Sequence, residues 1–154
     1  MPTRRAASKQ ELESLRALLS LQFDEDVAAA IVSLPLEVEL RRGKIRYVYY
    51  NGDRLMTLRP RDFSFTISLT AGEIIRRAAP QPKYRVIVKG PIRGDVHGYE
   101  VLSSDAQIRP GDEVLVVDAA ADKLLAVGKA RVPGFMMRSL GSQSVVRVRE
   151  VAKQ

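Results

Sequence analysis

Candidates for chemistry in this chain are few, and most fall away on inspection. His97 is the only histidine and there is no cysteine, so no two-histidine metal motif and no thiolate site can form. A covalent nucleophile would have to be Ser, Thr, Lys or a carboxylate. No Gly-x-Ser-x-Gly elbow, Walker loop or dinucleotide fingerprint occurs. Asp112-Glu113 places two acids side by side, but adjacent strand residues point to opposite faces. The Arg109-Pro110-Gly111-Asp112 sequence reads more simply as a turn. Asp24-Glu25-Asp26 suits a helix start better than a metal. No cofactor, metal or catalytic residue is expected.

What remains is binding of anions. Net charge is +7 and the isoelectric point is near 10.0, a balance that favours a polyanionic partner. Arginine outnumbers lysine, and its planar fork matches phosphate and stacks on bases. Lys129 with Arg131, and Arg147 with Arg149, fall two apart and so share a strand face. Such stripes serve either as solvated faces or as phosphate contacts. Lys89 and Arg93 bracket Gly90-Pro91, with Gly94 next, in what reads as a surface turn. His97 follows in the same segment and could stack on a base or serve as a surface cap.

Two modules position these groups, and the expected fold class is α+β. The chain divides at Pro80-Gln81-Pro82, giving segments 1–80 and 83–154. In the first, Ser8-Lys9-Gln10-Glu11 is a capping box opening a helix with Leu12, Leu15, Leu18 and Leu19 along one stripe. A second helix starts at Asp24 and runs through Val32. Strands are predicted over Leu36–Arg42, Lys44–Tyr50 and Asp53–Leu58, the last two joined by Asn51-Gly52, a strong hairpin signal. The alternation of Phe63–Leu69 predicts a further strand, and Thr70 with Glu73 predicts the cap of a short helix to Ala79. Tyr47 and Tyr49 share a face and are expected in the small core.

The second segment reads as β. Strands are predicted at Tyr84–Lys89, across Gly98–Leu102, at Val114–Val117 (apolar throughout, hence buried on both faces), at Leu124–Ala130 and at Ser144–Val151. Gly128 marks a bulge or a close backbone approach. Pro133–Leu140 predicts one or two helical turns, with Phe135-Met136-Met137 as core cover. No apolar run reaches the ~20 residues of a membrane span and no signal-peptide core follows Met1, so a cytoplasmic setting is expected.

Several runs resemble a known family. Gly43-Lys44-Ile45-Arg46-Tyr47-Val48-Tyr49 before Asn51-Gly52, and Thr57-Leu58-Arg59-Pro60 with Asp62, are similar to the small module ahead of the PUA domain in archaeosine tRNA-guanine transglycosylases. Arg85-Val86-Ile87-Val88, Ile108-Arg109-Pro110-Gly111-Asp112-Glu113-Val114, Leu125-Ala126-Val127-Gly128 and Val145-Val146-Arg147-Val148-Arg149 resemble the PUA domain itself. The resemblance implies a small α/β pre-PUA module followed by a PUA-type β pseudo-barrel, as in stand-alone archaeal PUA proteins. It implies structured RNA as partner: tRNA at its acceptor end first, rRNA second. The contacts it implies are Lys89, Arg93, Gly94, His97, Lys129, Arg131, Arg147 and Arg149. Only a short helix precedes the matching region, so the resemblance brings no catalytic barrel. It implies a non-catalytic accessory to tRNA modification that partners a catalytic transglycosylase subunit. The loop Asp95-Val96-His97-Gly98-Tyr99-Glu100 departs from the family's aromatic-plus-lysine pattern. That departure motivates one alternative, a protein-interaction adaptor without RNA binding; within the RNA-binding class, the nearest alternative is a translation or ribosome-associated PUA factor.

Overall fold

A computed structural model describes residues 3–154. The chain forms two compact units that meet in sequence between Ala79 and Pro80.

The first unit is a five-stranded antiparallel meander with helices on one face. Strands β1 (Arg4–Ala6), β2 (Leu36–Arg41), β3 (Lys44–Tyr50), β4 (Asp53–Leu58) and β5 (Phe65–Ile67) lie in chain order. Helices α1 (Lys9–Gln22), α2 (Glu25–Val32) and α3 (Leu69–Ala78) complete it. The register aligns Val38, Val48, Met56 and Ile67 in one row across four strands, and each is at most 1% exposed. Leu15, Leu19, Val27, Ile31 and Ile75 of the helices are buried as well. Burial of each such side chain contributes about 1.5–3 kcal/mol. The Ser8 capping box is closed, and Asp24 caps α2 by accepting from the Val27 amide at 2.8 Å. Asn51 and Gly52 take the left-handed conformations (φ 54° and 86°) that a two-residue hairpin turn requires.

Four expectations for this unit need correction. Strand β1 carries no periodic signal in three residues and was not foreseen. The segment after Phe63 yields only the short β5, because Asp62 accepts from the Ser64 amide at 3.1 Å and folds the preceding residues into a turn. The cap of α3 is Ser68, not Thr70. The Ser68 hydroxyl accepts from the Ala71 amide at 3.2 Å and donates to the Leu55 carbonyl at 2.9 Å, which ties the helix start to β4. Tyr49 is buried as expected, at 7% exposed, but Tyr47 is only half-buried, and arginines cover both rings. Arg4 sits 3.7 Å over Tyr49, and Arg54 sits 4.0 Å over Tyr47.

The second unit is a nearly closed pseudo-barrel. Its strands are β6 (Arg85–Val88), β7 (Val96–His97), β8 (Val101–Ser104), β9 (Glu113–Asp118), β10 (Leu124–Ala130) and β11 (Ser144–Val151), in the order β7-β11-β10-β9-β6-β8. All pairings are antiparallel except β6 with β9. Val86, Val88, Val96, Val114, Val116, Ala126, Val146 and Met137 fill the interior. Leu115 and Val117 on the other face of β9 are buried too, as the continuous apolar run predicts. Gly128 sits at a register shift between β10 and β11. A Cβ there would lie 2.3 Å from the Arg147 carbonyl oxygen, so the close backbone approach demands glycine.

Two expectations change here. Gly98–Glu100 is a 3₁₀ turn, not extended, because the Glu100 carboxylate accepts from the His97 amide at 2.9 Å and draws the chain around. In the second 3₁₀ turn, Gly134–Ser139, only Met137 is core. Phe135 is 73% exposed and Met136 37%.

Candidate nucleic-acid interface

The outward face of β7, β11 and β10 gathers most of the sequence-predicted cations. Ala130, Val146 and Val96 point into the barrel, so their strand neighbours point out. Register places Lys129 directly between Glu113 on β9 and Arg147 on β11. Arg149 lies two residues along the same face.

Partners divide these cations into two groups. Arg149 forks onto the Glu113 carboxylate, one arm at 3.2 Å and the other closer. Glu113 is only 5% exposed, so much of Arg149's charge is spent on an internal ion pair. Arg131 lies 3.4 Å from Asp95. His97 shares Glu100 through both its ring Nδ1 (3.1 Å) and its amide. By contrast Lys89, Arg93, Lys129 and Arg147 have no carboxylate partner among the described residues. Lys89, Arg93 and Arg147 are exposed, and Lys129 is half-buried.

The loop bearing Lys89, Arg93 and Gly94 is fastened at two points. The Gln154 amide group accepts from the Ile92 N–H at 2.7 Å and donates to its carbonyl at 2.9 Å. Asp95 accepts from the Val148 amide at 3.0 Å and from the Ser144 hydroxyl at 3.2 Å. Burial pushes the Asp95 carboxyl up, but these hydrogen bonds and Arg131 outweigh it and hold the group below the usual aspartate range. Gly94 has open space around its Cα, so a phosphate could approach the main chain there.

Sequence reasoning missed an aromatic element beside these charges. The Tyr99 amide donates to the Gly141 carbonyl at 2.8 Å, packing the first 3₁₀ turn against the end of the second. Tyr99 is 70% exposed and stacks on His97 with ring centroids 5.6 Å apart and planes 13° from parallel. Phe135, Met136 and Leu102 are exposed on the adjoining elements. Isolated aromatics in short loops carry no periodicity, so the sequence held no signal for this cluster. Among the described residues no group of three or more acids and histidines is arranged to hold a metal, and no helix is long and apolar enough to cross a membrane.

A barrel of this topology, preceded by a helix-backed meander, is matched by known domain families. Residues 13–82 match the patch-forming domain C2 of tRNA-guanine transglycosylase, and residues 100–152 match the PUA domain. The two modules are a transglycosylase-type C2 domain and a PUA domain. The chain is 35% identical over 155 residues to the tRNA-guanine(15) transglycosylase of Pyrococcus abyssi. It is 32% identical over 141 residues to that of Pyrococcus furiosus. These alignments cover 96% and 88% of the chain but only 25% and 24% of the relatives, so the chain spans about a quarter of their length. Among solved structures, a hypothetical protein from Pyrococcus horikoshii superposes with a TM-score of 0.72 at 21% identity, covering 99% of this chain and 96% of the other. A conserved PUA domain protein from Thermoplasma acidophilum gives 0.67 at 18%, covering 99% and 95%. Both likenesses establish the fold. The chain therefore belongs to the family formed by the C-terminal C2 and PUA modules of tRNA-guanine(15) transglycosylases.

Proposed function

We propose that this protein binds structured RNA through its PUA domain and performs no catalysis itself, acting as an accessory to tRNA modification. The observation that carries the reading is the set of four exposed or half-exposed cations without acid partners, Lys89, Arg93, Lys129 and Arg147, with the stacked His97–Tyr99 pair alongside. Cations free of internal partners are available to displace counterions from phosphate. The stacked rings offer a platform for an unpaired terminal base. The acceptor end of tRNA supplies both a short A-form stem and a single-stranded tail, so it fits the two features together. The matching modules occur in tRNA-guanine(15) transglycosylases, which makes a separately folded transglycosylase the natural catalytic partner.

Binding of a tRNA transcript, measured by fluorescence anisotropy at low salt, tests the reading. Expected is saturable binding that weakens log-linearly with salt and is cut by Arg93→Ala with Lys129→Ala. No measurable binding at low salt would overturn it. A second reading, a protein-interaction adaptor, draws on Asp95 and Glu100, whose carboxylates occupy Arg131 and His97. Recovery of a protein partner together with absent tRNA binding would favour it.

A further inference from the structure

The first unit carries a groove that the PUA reading does not use. Its floor is apolar: Leu15 and Leu18 from α1, Ile45 from β3, and Leu58, Pro60 and Phe63 from β4 and the loop that follows. Its rim is cationic, formed by Arg42, Lys44 and Arg46 around the β2–β3 turn, and no carboxylate among the described residues lines it. None of these three cations has an acid partner among the described residues. Leu21, one turn beyond Leu18 on α1, extends the apolar strip and is 84% exposed.

Phe63 is the telling residue. It is 53% exposed and holds a left-handed backbone at φ 56°, a conformation unfavourable for a bulky side chain. The loop enforces it: the Phe63 amide donates to the Arg59 carbonyl at 2.9 Å, and Asp62 binds both Arg59 (2.9 Å) and the Ser64 hydroxyl (2.7 Å). Strain that turns an aromatic ring outward to water stabilises nothing in the isolated chain, and such outliers cluster at binding sites.

We propose that this groove docks an acidic, amphipathic helical segment of a protein partner. The aliphatic floor accepts leucine-type side chains in the manner of helix-in-groove recognition. The cationic rim selects acidic residues on the flanks. Tyr47 and Arg41 also line the groove, but Arg54 covers the Tyr47 ring at 4.0 Å and Arg41 is paired with Glu39 at 3.2 Å; neither a base nor a phosphate gains from the remaining aliphatic strip that Leu21 extends, so a polypeptide fits better than RNA.

The test uses the full chain and three labelled probes. Two are synthetic helical peptides of about 18 residues, five turns long, with the same leucine spacing and either glutamates or lysines elsewhere. The third is a single-stranded oligouridine. Binding is read by anisotropy and mapped by amide chemical shifts. Expected is binding of the glutamate peptide alone, with shifts confined to 14–21, 41–47 and 58–63. Leu21→Asp and Lys44→Glu, both at exposed positions, should each weaken it about tenfold. Phe63→Gly, which relieves the backbone conformation and so folds, should weaken it too. No binding of the glutamate peptide up to about 1 mM, where affinity is only about 4 kcal/mol, would overturn the proposal. So would shifts outside the groove, or stronger binding of oligouridine at the same residues. Leu21→Asp leaves tRNA binding intact, and Lys129→Ala with Arg147→Ala leaves peptide binding intact, so failure of one site is distinguishable from failure of the other.

Discussion

Arg147 and Arg149 are two residues apart on one strand face, yet the structure gives them opposite roles. Arg147 has no acid partner among the described residues, whereas Arg149 is forked onto the buried Glu113. Replacing each in turn by alanine separates a phosphate contact from a structural charge. If Lys89, Arg93, Lys129 and Arg147 each neutralise one phosphate, the slope of log affinity against log salt is about −3.6 at ~0.9 per contact. Arg147→Ala should bring it to about −2.7. From 50 to 200 mM salt that one contact accounts for about a 3–4-fold difference in affinity. Folding stability should hardly change, because the side chain is exposed. Arg149→Ala should do the reverse. It removes the guanidinium forked onto the buried Glu113 carboxylate, at a cost of about 3 kcal/mol, while moving the salt slope little. Glu113→Gln should release Arg149 and steepen the slope. The assays are anisotropy with a tRNA transcript at several salt concentrations and urea unfolding. Equal slopes for the Arg147 and Arg149 variants would refute the division of the cations into free and committed groups.

Further consequences concern stability. Arg85 is 1% exposed and clasped by Asp122 at 2.8 and 3.1 Å, so Asp122→Ala removes the counter-charge of a buried guanidinium and should cost about 3–5 kcal/mol in urea unfolding. Gly128→Ala drives a methyl against main chain that cannot yield and should cost about 3 kcal/mol, with thermal melting as the check. Ser68→Ala should cost about 1 kcal/mol and Thr70→Ala much less, since Ser68 makes the cap; equal losses would contradict the assignment. The hydrogen bond from Arg5 holds the Glu11 carboxyl down at about 2. A carboxylate depressed on folding stabilises fully above its unfolded value and loses that contribution as pH falls through the folded one. Stability of the first unit should therefore decline between about pH 4.5 and 2. Glu11→Gln should flatten that decline in acid titrations followed by circular dichroism.

Elements with local causes were legible in the chain. The Ser8 box, the Asp24 cap, the Asn51-Gly52 hairpin and the doubly buried Val114–Val117 strand each rest on contacts within a few residues or on composition alone. Misreadings arose where a side chain reached beyond its own segment. Ser68 took the cap from Thr70 through a bond to Leu55. Glu100 bent a stretch that looked extended. Tyr47 met Arg54 from another strand and stays half-buried instead of entering the core.

By itself the sequence determined that the chain is basic, lacks a recognisable nucleophile or metal set, and alternates and turns as two small modules, because charge, periodicity and turn chemistry are local properties. Which cations are free was decided only in three dimensions. Lys129, Arg131, Arg147 and Arg149 look alike along the strands, but the folded side chains fork Arg149 onto Glu113 and set Arg131 near Asp95, while Lys129, although opposite Glu113 in register, and Arg147 make no ion pair among the described residues. The groove beside Phe63 is likewise tertiary, since its floor joins α1 to residues about forty positions away in the chain and no local pattern anticipates that meeting.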